Sequence, residues 1–123
     1  HGTTFGGGPV TTAMGLVVWN ILSDPVFIKE ISEKGKLLMK ELKELTESFD
    51  FLGRVKGKGL LQGIEMHKDD DELKKVIKSA MGKELLILRS GKNIIRLAPP
   101  LIITGDEIKK GCSILKQVFM EYK

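Results

Sequence analysis

The chain has 123 residues and a net charge of +4, with 41% apolar and 29% charged residues. This length suits one domain with a real hydrophobic core, and the composition excludes wholesale disorder. The positive charge does not indicate a nucleic-acid partner, because the lysines from Lys29 to Lys43 are interleaved with glutamates, as on a solvated helix face.

Neither a membrane span nor a secretory signal is evident in the sequence. No apolar run reaches the ~18–20 residues that cross a bilayer, and the first residues lack a basic segment followed by an apolar core. The single cysteine, Cys112, excludes an internal disulfide framework, and with only two histidines the chain offers no set of structural zinc ligands. We therefore expect a cytoplasmic protein without a metal site.

Helical spacing predicts two consecutive helices in the first part of the chain. The first begins at Pro9, which suits the first helical position, and ends near Leu22. Because this helix is apolar over most of its circumference, we expect it to be buried. Asp24 followed by Pro25 predicts the N-cap of a second, long helix with one charged face. Gly35 occupies one position of its apolar stripe, where we expect another backbone to approach closely.

Glycines and apolar runs predict two hairpins further along the chain. The segment FLGRVKGKGLLQGIEMH predicts a short strand, a turn with a bulge and a longer strand. The segment LLILRSGKNIIRLAPP predicts strands at residues 85–88 and 93–97, joined by a turn at 90–92. Between the hairpins, one of residues 69–71 caps a third helix that ends near Gly82.

Thr104 and Glu107 have the spacing of a capping box, which predicts a last helix beginning there. Its buried stripe consists of Ile108, Cys112, Leu115 and Phe119. Together the elements predict an α/β fold of the α+β kind, in which helices cover a mostly antiparallel sheet of three to four strands.

Two features of the sequence suit an anion. Thr3 and Thr4 offer hydroxyl and amide donors beside glycines that permit close approach, although such a string is more often a flexible loop. Arg96 lies between two apolar residues near the end of a strand, where a guanidinium must find an anion or lose its hydration at considerable cost. Its planar fork suits a carboxylate. The alternative is an arginine that extends into solvent from a sheet edge.

Three other reactive side chains have simpler explanations. Glu65 could be catalytic, but a strand carboxylate that faces solvent is the commoner case. Cys112 lies on an apolar helix face, which favours packing over a nucleophilic role. His67 follows a strand and has no obvious partner, so we assign it no role.

The strings HGTTFGGGP, GKGLLQGIEM and IIRLAPPLIIT, in this order, resemble the C-terminal part of the class III aminotransferases, which depend on pyridoxal phosphate. The similarity extends from His1 to the last helix, and within the family it is greatest to the acetylornithine aminotransferases. Gly8 and Lys56 depart from the family pattern, which usually has asparagine and arginine at these positions.

The resemblance implies roles for three residues. Thr4, the second threonine of its motif, would donate to the phosphate of pyridoxal phosphate bound in the neighbouring subunit of a homodimer, with Thr3 beside it. Arg96 would bind the α-carboxylate of amino-acid and 2-oxo-acid substrates. Residues 1–22 would form a crossing segment and buried helix that complete the partner's cofactor site. Residues 23–123 would form the C-terminal small domain of a fold-type I pyridoxal-phosphate enzyme.

The resemblance also implies that the lysine that binds the cofactor lies upstream, on a large domain. The acidic group that pairs with the pyridine nitrogen of the cofactor and the aromatic side chain that stacks on its ring are likewise absent from this chain. Because the chain begins within a motif and without methionine, we expect a C-terminal fragment that is inactive alone. The whole enzyme would transfer the amino group of N2-acetylornithine to 2-oxoglutarate in arginine biosynthesis. The alternatives are an ornithine, succinylornithine, 4-aminobutyrate or lysine-pathway aminotransferase, and a non-catalytic α/β interaction module.

Overall fold

A computed structural model describes residues 2–122 as four helices and one four-stranded sheet. In chain order the elements are α1 (Pro9–Leu22), α2 (Pro25–Glu47), β1 (Leu52–Lys58), β2 (Leu61–Met66), α3 (Asp70–Gly82), β3 (Leu88–Ser90), β4 (Ile94–Leu97) and α4 (Gly105–Tyr122). The chain forms two compact units, one ending at Glu30 and the other beginning at Ile31, so the division falls within α2.

The sheet has the strand order β1-β2-β4-β3, and all neighbouring strands are antiparallel. Ile64 on β2 pairs with Ile95 on β4, and both are fully buried in one core with residues of α2, α3 and α4. The helical part of that core consists of Leu38, Leu42, Leu45, Leu73, Val76, Ala80, Ile108, Cys112, Leu115, Val118 and Phe119. The predicted α/β fold is therefore confirmed, and so is the predicted stripe of the last helix.

Side chains cap three of the helices as the sequence predicts. The Asp24 carboxylate accepts from the Val26 amide at 2.7 Å at the start of α2. At the start of α3, the capping residue is Asp69, which accepts from the Glu72 amide at 2.9 Å. The capping box before α4 is also present: Thr104 and Glu107 exchange backbone and side-chain hydrogen bonds.

Gly35 lies where α2 meets the turn between β1 and β2. A Cβ atom at Gly35 would be 2.7 Å from backbone atoms of Gly59, which confirms the predicted close approach. The buried Gln62 side chain fastens the same contact, because its Nε2 donates to the carbonyl oxygens of Gly35 at 2.8 Å and Gly59 at 2.6 Å. The turn is thus held rigidly against α2.

The second hairpin begins and turns later than the sequence predicts. Its first strand was expected from residue 85, but β3 begins at Leu88. Glu84 has a φ of 61°, and the Leu85 amide donates to the Ala80 carbonyl at 2.9 Å, so this segment caps α3 instead of pairing in the sheet. The turn occupies residues 91–93, with Gly91 in the left-handed region at a φ of 63°.

None of the residues of α1 is buried within this chain, so the burial expected for this helix stays a prediction for the whole protein. Even Trp19 is 67% exposed. Apolar residues around a helix show the environment that it requires, but they do not show which polypeptide supplies that environment. Within residues 2–122 no single helix is long and apolar enough to cross a membrane. The two helices α1 and α2, which are bent at the break between them, reach the required length and apolar composition only when they are taken as a pair.

Candidate functional site

The first candidate site is the glycine-rich turn before α1. The amides of Gly6 and Gly8 donate to the carbonyl oxygens of Thr3 at 3.4 Å and Phe5 at 3.3 Å, which folds the segment into two consecutive turns. Gly7 has a φ of 79°, a conformation that favours glycine. The segment between Thr3 and α1 is therefore a defined loop with a glycine where the backbone requires one.

Two hydroxyls tie this loop to the first turn of α1. The Thr11 hydroxyl donates to the carbonyl oxygens of Phe5 and Gly8, both at 2.9 Å. The Thr12 hydroxyl donates to the Gly8 carbonyl at 2.9 Å. These bonds use the hydroxyls of both helical threonines.

The hydroxyls of Thr3 and Thr4, by contrast, make no hydrogen bond to any residue from 2 to 122. They line an open cavity of about 470 Å³ together with Phe5, Gly6, Gly7, Thr11 and Thr12. The N-cap of α1 is Gly8, which provides no side-chain cap, and the first turn of α1 has no acidic residue. Free hydroxyls beside an uncapped helix N-terminus form a donor set that fits a phosphate group.

The second candidate site is Arg96 on β4. Its neighbours across the sheet are Gly63 on β2 and Leu88 on β3, so Arg96 lies on an inner strand and not at a sheet edge. Arg96 is exposed, whereas the preceding Ile95 is fully buried on the opposite face. The desolvation cost expected from the apolar sequence is therefore not incurred, because the guanidinium points to the uncovered face of the sheet.

No carboxylate among residues 2–122 neutralises Arg96. The carboxylate of Glu65, on the same face, is already engaged by Lys56, which donates a short hydrogen bond, and by Arg54, whose Nε is 3.6 Å away. The hydrogen bond from Lys56 is the main cause of the lowered pKa of Glu65. The guanidinium of Arg96 is therefore exposed, on a strand that is paired on both sides, and is accessible to an anion.

The remaining reactive side chains have structural explanations. Cys112 is buried in the core, and this burial raises the pKa of its thiol to about 12, which favours packing over a nucleophilic role. The His67 ring lies over Gly53 and contributes to a shallow cavity with Phe51 and Tyr122. The ion pairs of Glu65 fit a structural role for that residue as well.

The sequence did not reveal which residues lie in the same row as Arg96 across the sheet. Gly63 belongs to the glycine-containing segment that was assigned only to strands, a turn and a bulge, and Lys56 was noted only as a departure from a motif. The structure aligns both with Arg96 in one row across the sheet. Strand register was the missing information, because residues far apart in sequence become neighbours only when the pairing is known.

Residues 1–119 match the family described as aminotransferase class-III. The chain belongs to the class-III aminotransferase family. Acetylornithine aminotransferase of Bacillus subtilis is 38% identical over 122 residues, which is 99% of this chain and 31% of the relative. Probable mitochondrial acetylornithine aminotransferase of Dictyostelium discoideum is 37% identical over 123 residues, 98% of this chain and 26% of the relative.

Solved aminotransferase structures have the same fold. A Bacillus anthracis aminotransferase superposes with a TM-score of 0.88 at 33% identity, covering 98% of this chain and 30% of that one. Acetylornithine aminotransferase from Elizabethkingia anophelis gives 0.86 at 31% identity, covering 98% of this chain and 31% of that one. The chain thus spans about a third of the length of these relatives, and the resemblance drawn from its motifs is confirmed.

Proposed function

We propose that this chain is part of a pyridoxal-phosphate-dependent aminotransferase that transfers the amino group of N2-acetylornithine to 2-oxoglutarate, in arginine biosynthesis. The observation that carries the proposal is the exposed and unpaired guanidinium of Arg96 in a class-III family member. Several relatives named acetylornithine aminotransferase support the choice of donor, among them one of Bacillus cereus that is 36% identical over 118 residues.

N2-acetylornithine transfers its δ-amino group, because its α-nitrogen is acylated, so its α-carboxylate is remote from the reacting carbon. Arg96 binds the α-carboxylate of 2-oxoglutarate, which is bonded to the carbon that accepts the amino group. The guanidinium donates two parallel hydrogen bonds to that carboxylate and so fixes the direction in which the rest of the substrate extends. Pairing of β4 with β2 and β3 on both sides holds the backbone of Arg96 in place. A substrate oriented in this way loses much of its freedom before the reaction, which lowers the barrier.

Thr3 and Thr4 bind the phosphate of pyridoxal phosphate held by the neighbouring subunit of a homodimer. Their free hydroxyls and the uncapped start of α1 supply donors, and Gly8 leaves the helix N-terminus open to the anion. Pyridoxal phosphate, when bound, would supply the electron sink for charge that develops at the carbon bearing the transferred nitrogen. In this proposal residues 1–22 form the crossing segment, and residues 23–123 form the small domain.

The lysine that binds the cofactor belongs to a large domain that this chain does not contain, so the chain alone is inactive in this proposal. The complete enzyme acts in the cytoplasm. A relative from Photorhabdus laumondii, 31% identical over 119 residues, is named acetylornithine/succinyldiaminopimelate aminotransferase. Donors other than N2-acetylornithine therefore belong in the test, including ornithine, succinylornithine and 4-aminobutyrate.

The test joins this chain to the portion of the Bacillus subtilis relative that precedes the matched region. We expect the joined protein to be a dimer that binds pyridoxal phosphate and forms glutamate from N2-acetylornithine and 2-oxoglutarate. The preceding portion alone is the control and should form none. Greater activity with another donor would overturn the choice of N2-acetylornithine, and a joined dimer that binds the cofactor without transaminating any donor would overturn the proposed function.

A further inference from the structure

A groove with oppositely charged walls lies between α2 and α4. It is an open cavity of about 380 Å³. The wall from α2 consists of Glu41, Glu44, Leu45 and Ser48, and the wall from α4 consists of Lys109, Cys112, Ser113 and Lys116. All of these residues belong to the compact unit that begins at Ile31. The charges are therefore sorted by helix, with carboxylates on one wall and ammonium groups on the other.

The charged side chains of the groove do not neutralise one another. Among residues 2–122, Glu41, Lys109 and Lys116 form no ion pair. The Glu44 carboxylate contacts Lys40 on its own helix at 3.8 Å, and both side chains are exposed. An exposed ion pair contributes little to stability, so Glu44 can exchange Lys40 for a ligand at small cost. Both walls can therefore accept a partner from solution.

The floor of the groove is apolar. Leu45 and Cys112 are each only 5% exposed, and both belong to the hydrophobic core. The charge of Glu41 contributes to the raised pKa of the Cys112 thiol, so the Glu41 carboxylate lies beside this floor. A ligand in the groove would rest aliphatic carbons on Leu45 and Cys112 while its charged groups reach the two walls. An apolar surface with a few convergent polar groups is typical of small-molecule sites.

The spacing along each helix brings like charges together on each wall. Ser113 follows Lys109 by four residues and precedes Lys116 by three, so the three side chains share one face of α4. The Ser113 hydroxyl makes no hydrogen bond to any residue from 2 to 122. A free hydroxyl between two ammonium groups suits a carboxylate. Glu41 and Glu44, three residues apart on α2, suit a cation in the same way.

We propose that this groove binds an amino acid whose side chain ends in a cation, such as arginine, lysine or ornithine. Lys109, Ser113 and Lys116 bind its α-carboxylate, and Glu41 and Glu44 bind the distal cation. The axes of packed helices are about 8–10 Å apart, so a ligand that reaches both walls needs its two charges at the ends of a chain. An amino acid with a neutral side chain has its charges on either side of one carbon atom and cannot reach both walls. The α-ammonium group of the ligand remains in solvent, since the groove is open.

The experiment is a titration of the 123-residue chain with three ligands, followed by NMR at low ionic strength, where exposed ion pairs are least screened. L-Arginine carries both charged ends. L-Citrulline has nearly the same shape but a neutral distal group, and agmatine lacks the carboxylate. We expect L-arginine to bind about three- to fivefold more tightly than either analogue, in line with one exposed ion pair. The amide signals of Ser48 and Ser113 should shift most. Equal affinities for the three ligands, or no binding, would overturn the inference.

Two variants, each with a matched control, test the two walls separately. Glu41→Gln should reduce the preference for L-arginine over L-citrulline, whereas Glu47→Gln, on the same helix but outside the groove, should retain it. Lys109→Met should reduce the preference for L-arginine over agmatine, whereas Lys110→Met should retain it. Backbone amide spectra of each variant confirm that the fold is unchanged.

An equal loss of preference in a variant and its control would show a general charge effect and would overturn the inference. Amide shifts around Arg96 in place of the groove would also overturn it, because the carboxylate of the ligand would then be bound on the uncovered face of the sheet.

Discussion

At Gly35 the structure leaves no room for a single methyl group. Backbone atoms of Gly59 lie 2.7 Å from the position of a Cβ atom, and backbone cannot move aside as a flexible side chain would. The sequence predicted this contact because a glycine occupied an apolar stripe. It gave no sign of Gln62, whose amide joins both glycines, because a glutamine within a strand indicates no particular partner.

Gly35→Ala should therefore destabilise the chain by about 1–3 kcal/mol, the usual cost of overpacking. Urea denaturation followed by circular dichroism measures the free energy of unfolding. Gly82→Ala is the matched control, because Gly82 is the last residue of α3 and has open space around its Cβ position. An equal loss of stability in both variants would contradict the close contact at Gly35.

Glu107 provides a pH-dependent contribution to stability at the start of α4. The hydrogen bond from the Thr104 amide, 2.8 Å long, is the main reason why the pKa of Glu107 lies below 4.5. A carboxylate with a lowered pKa in the folded state stabilises the fold above its unfolded pKa and loses that contribution as the pH falls through the folded value.

Glu107→Gln keeps a side chain that can complete the capping box but removes its titration. The difference in unfolding free energy between the original chain and this variant should be greatest near pH 7 and should shrink as the pH falls below 4.5. Chemical denaturation at a series of pH values gives this difference. A difference that stays constant or grows towards acid pH would contradict the assignment.

Among the elements, α3 and the strand that follows it show where sequence patterns lose precision. Three consecutive aspartates predicted where α3 begins, but the sequence did not show which of them is the N-cap. In the structure the N-cap is Asp69. At the other end, a run of apolar residues predicted a strand three residues too early. The Leu85 amide is used by the helix cap, and this bond was not visible in the hydrophobic pattern.

Asp69→Ala should cost about 1 kcal/mol, the usual value for loss of an N-cap. Asp71→Ala is the matched control: the Asp71 side chain is 82% exposed and forms an exposed ion pair with Lys74, so its loss should have little effect. Amide hydrogen exchange in the first turn of α3 provides a local measure. Faster exchange in Asp71→Ala than in Asp69→Ala would show that the wrong cap was assigned.

For the molecule as a whole, the sequence motifs predicted the family and the fold. They did not predict which apolar residues are buried by other parts of this chain and which are exposed. The apolar circumference of α1 indicated burial, yet no residue of α1 is buried. This chain spans about 30% of its relatives, and α1 exposes an apolar surface that a covering polypeptide would bury. Arg96 was predicted from its motif, whereas its place in a row with Lys56 required the strand register.

Trp19, the only tryptophan, tests the environment of α1 directly. Its 67% exposure predicts the red-shifted fluorescence of a solvated indole and efficient quenching by acrylamide in the isolated chain. In the protein joined to the preceding portion of a relative, the emission should shift to shorter wavelength and quenching should decrease. Blue-shifted, protected emission from the monomeric chain would contradict the exposure of α1.

The most direct measurement of the central claim is the steady-state kinetics of Arg96→Lys in the joined protein. Lysine keeps the charge but loses the planar fork, so kcat/KM for 2-oxoglutarate should fall by about 100-fold, equivalent to about 3 kcal/mol of lost charge-assisted hydrogen bonding. Lys58→Met should leave this value unchanged. If Arg96→Lys retained full kcat/KM for 2-oxoglutarate, Arg96 would not be the residue that binds its α-carboxylate.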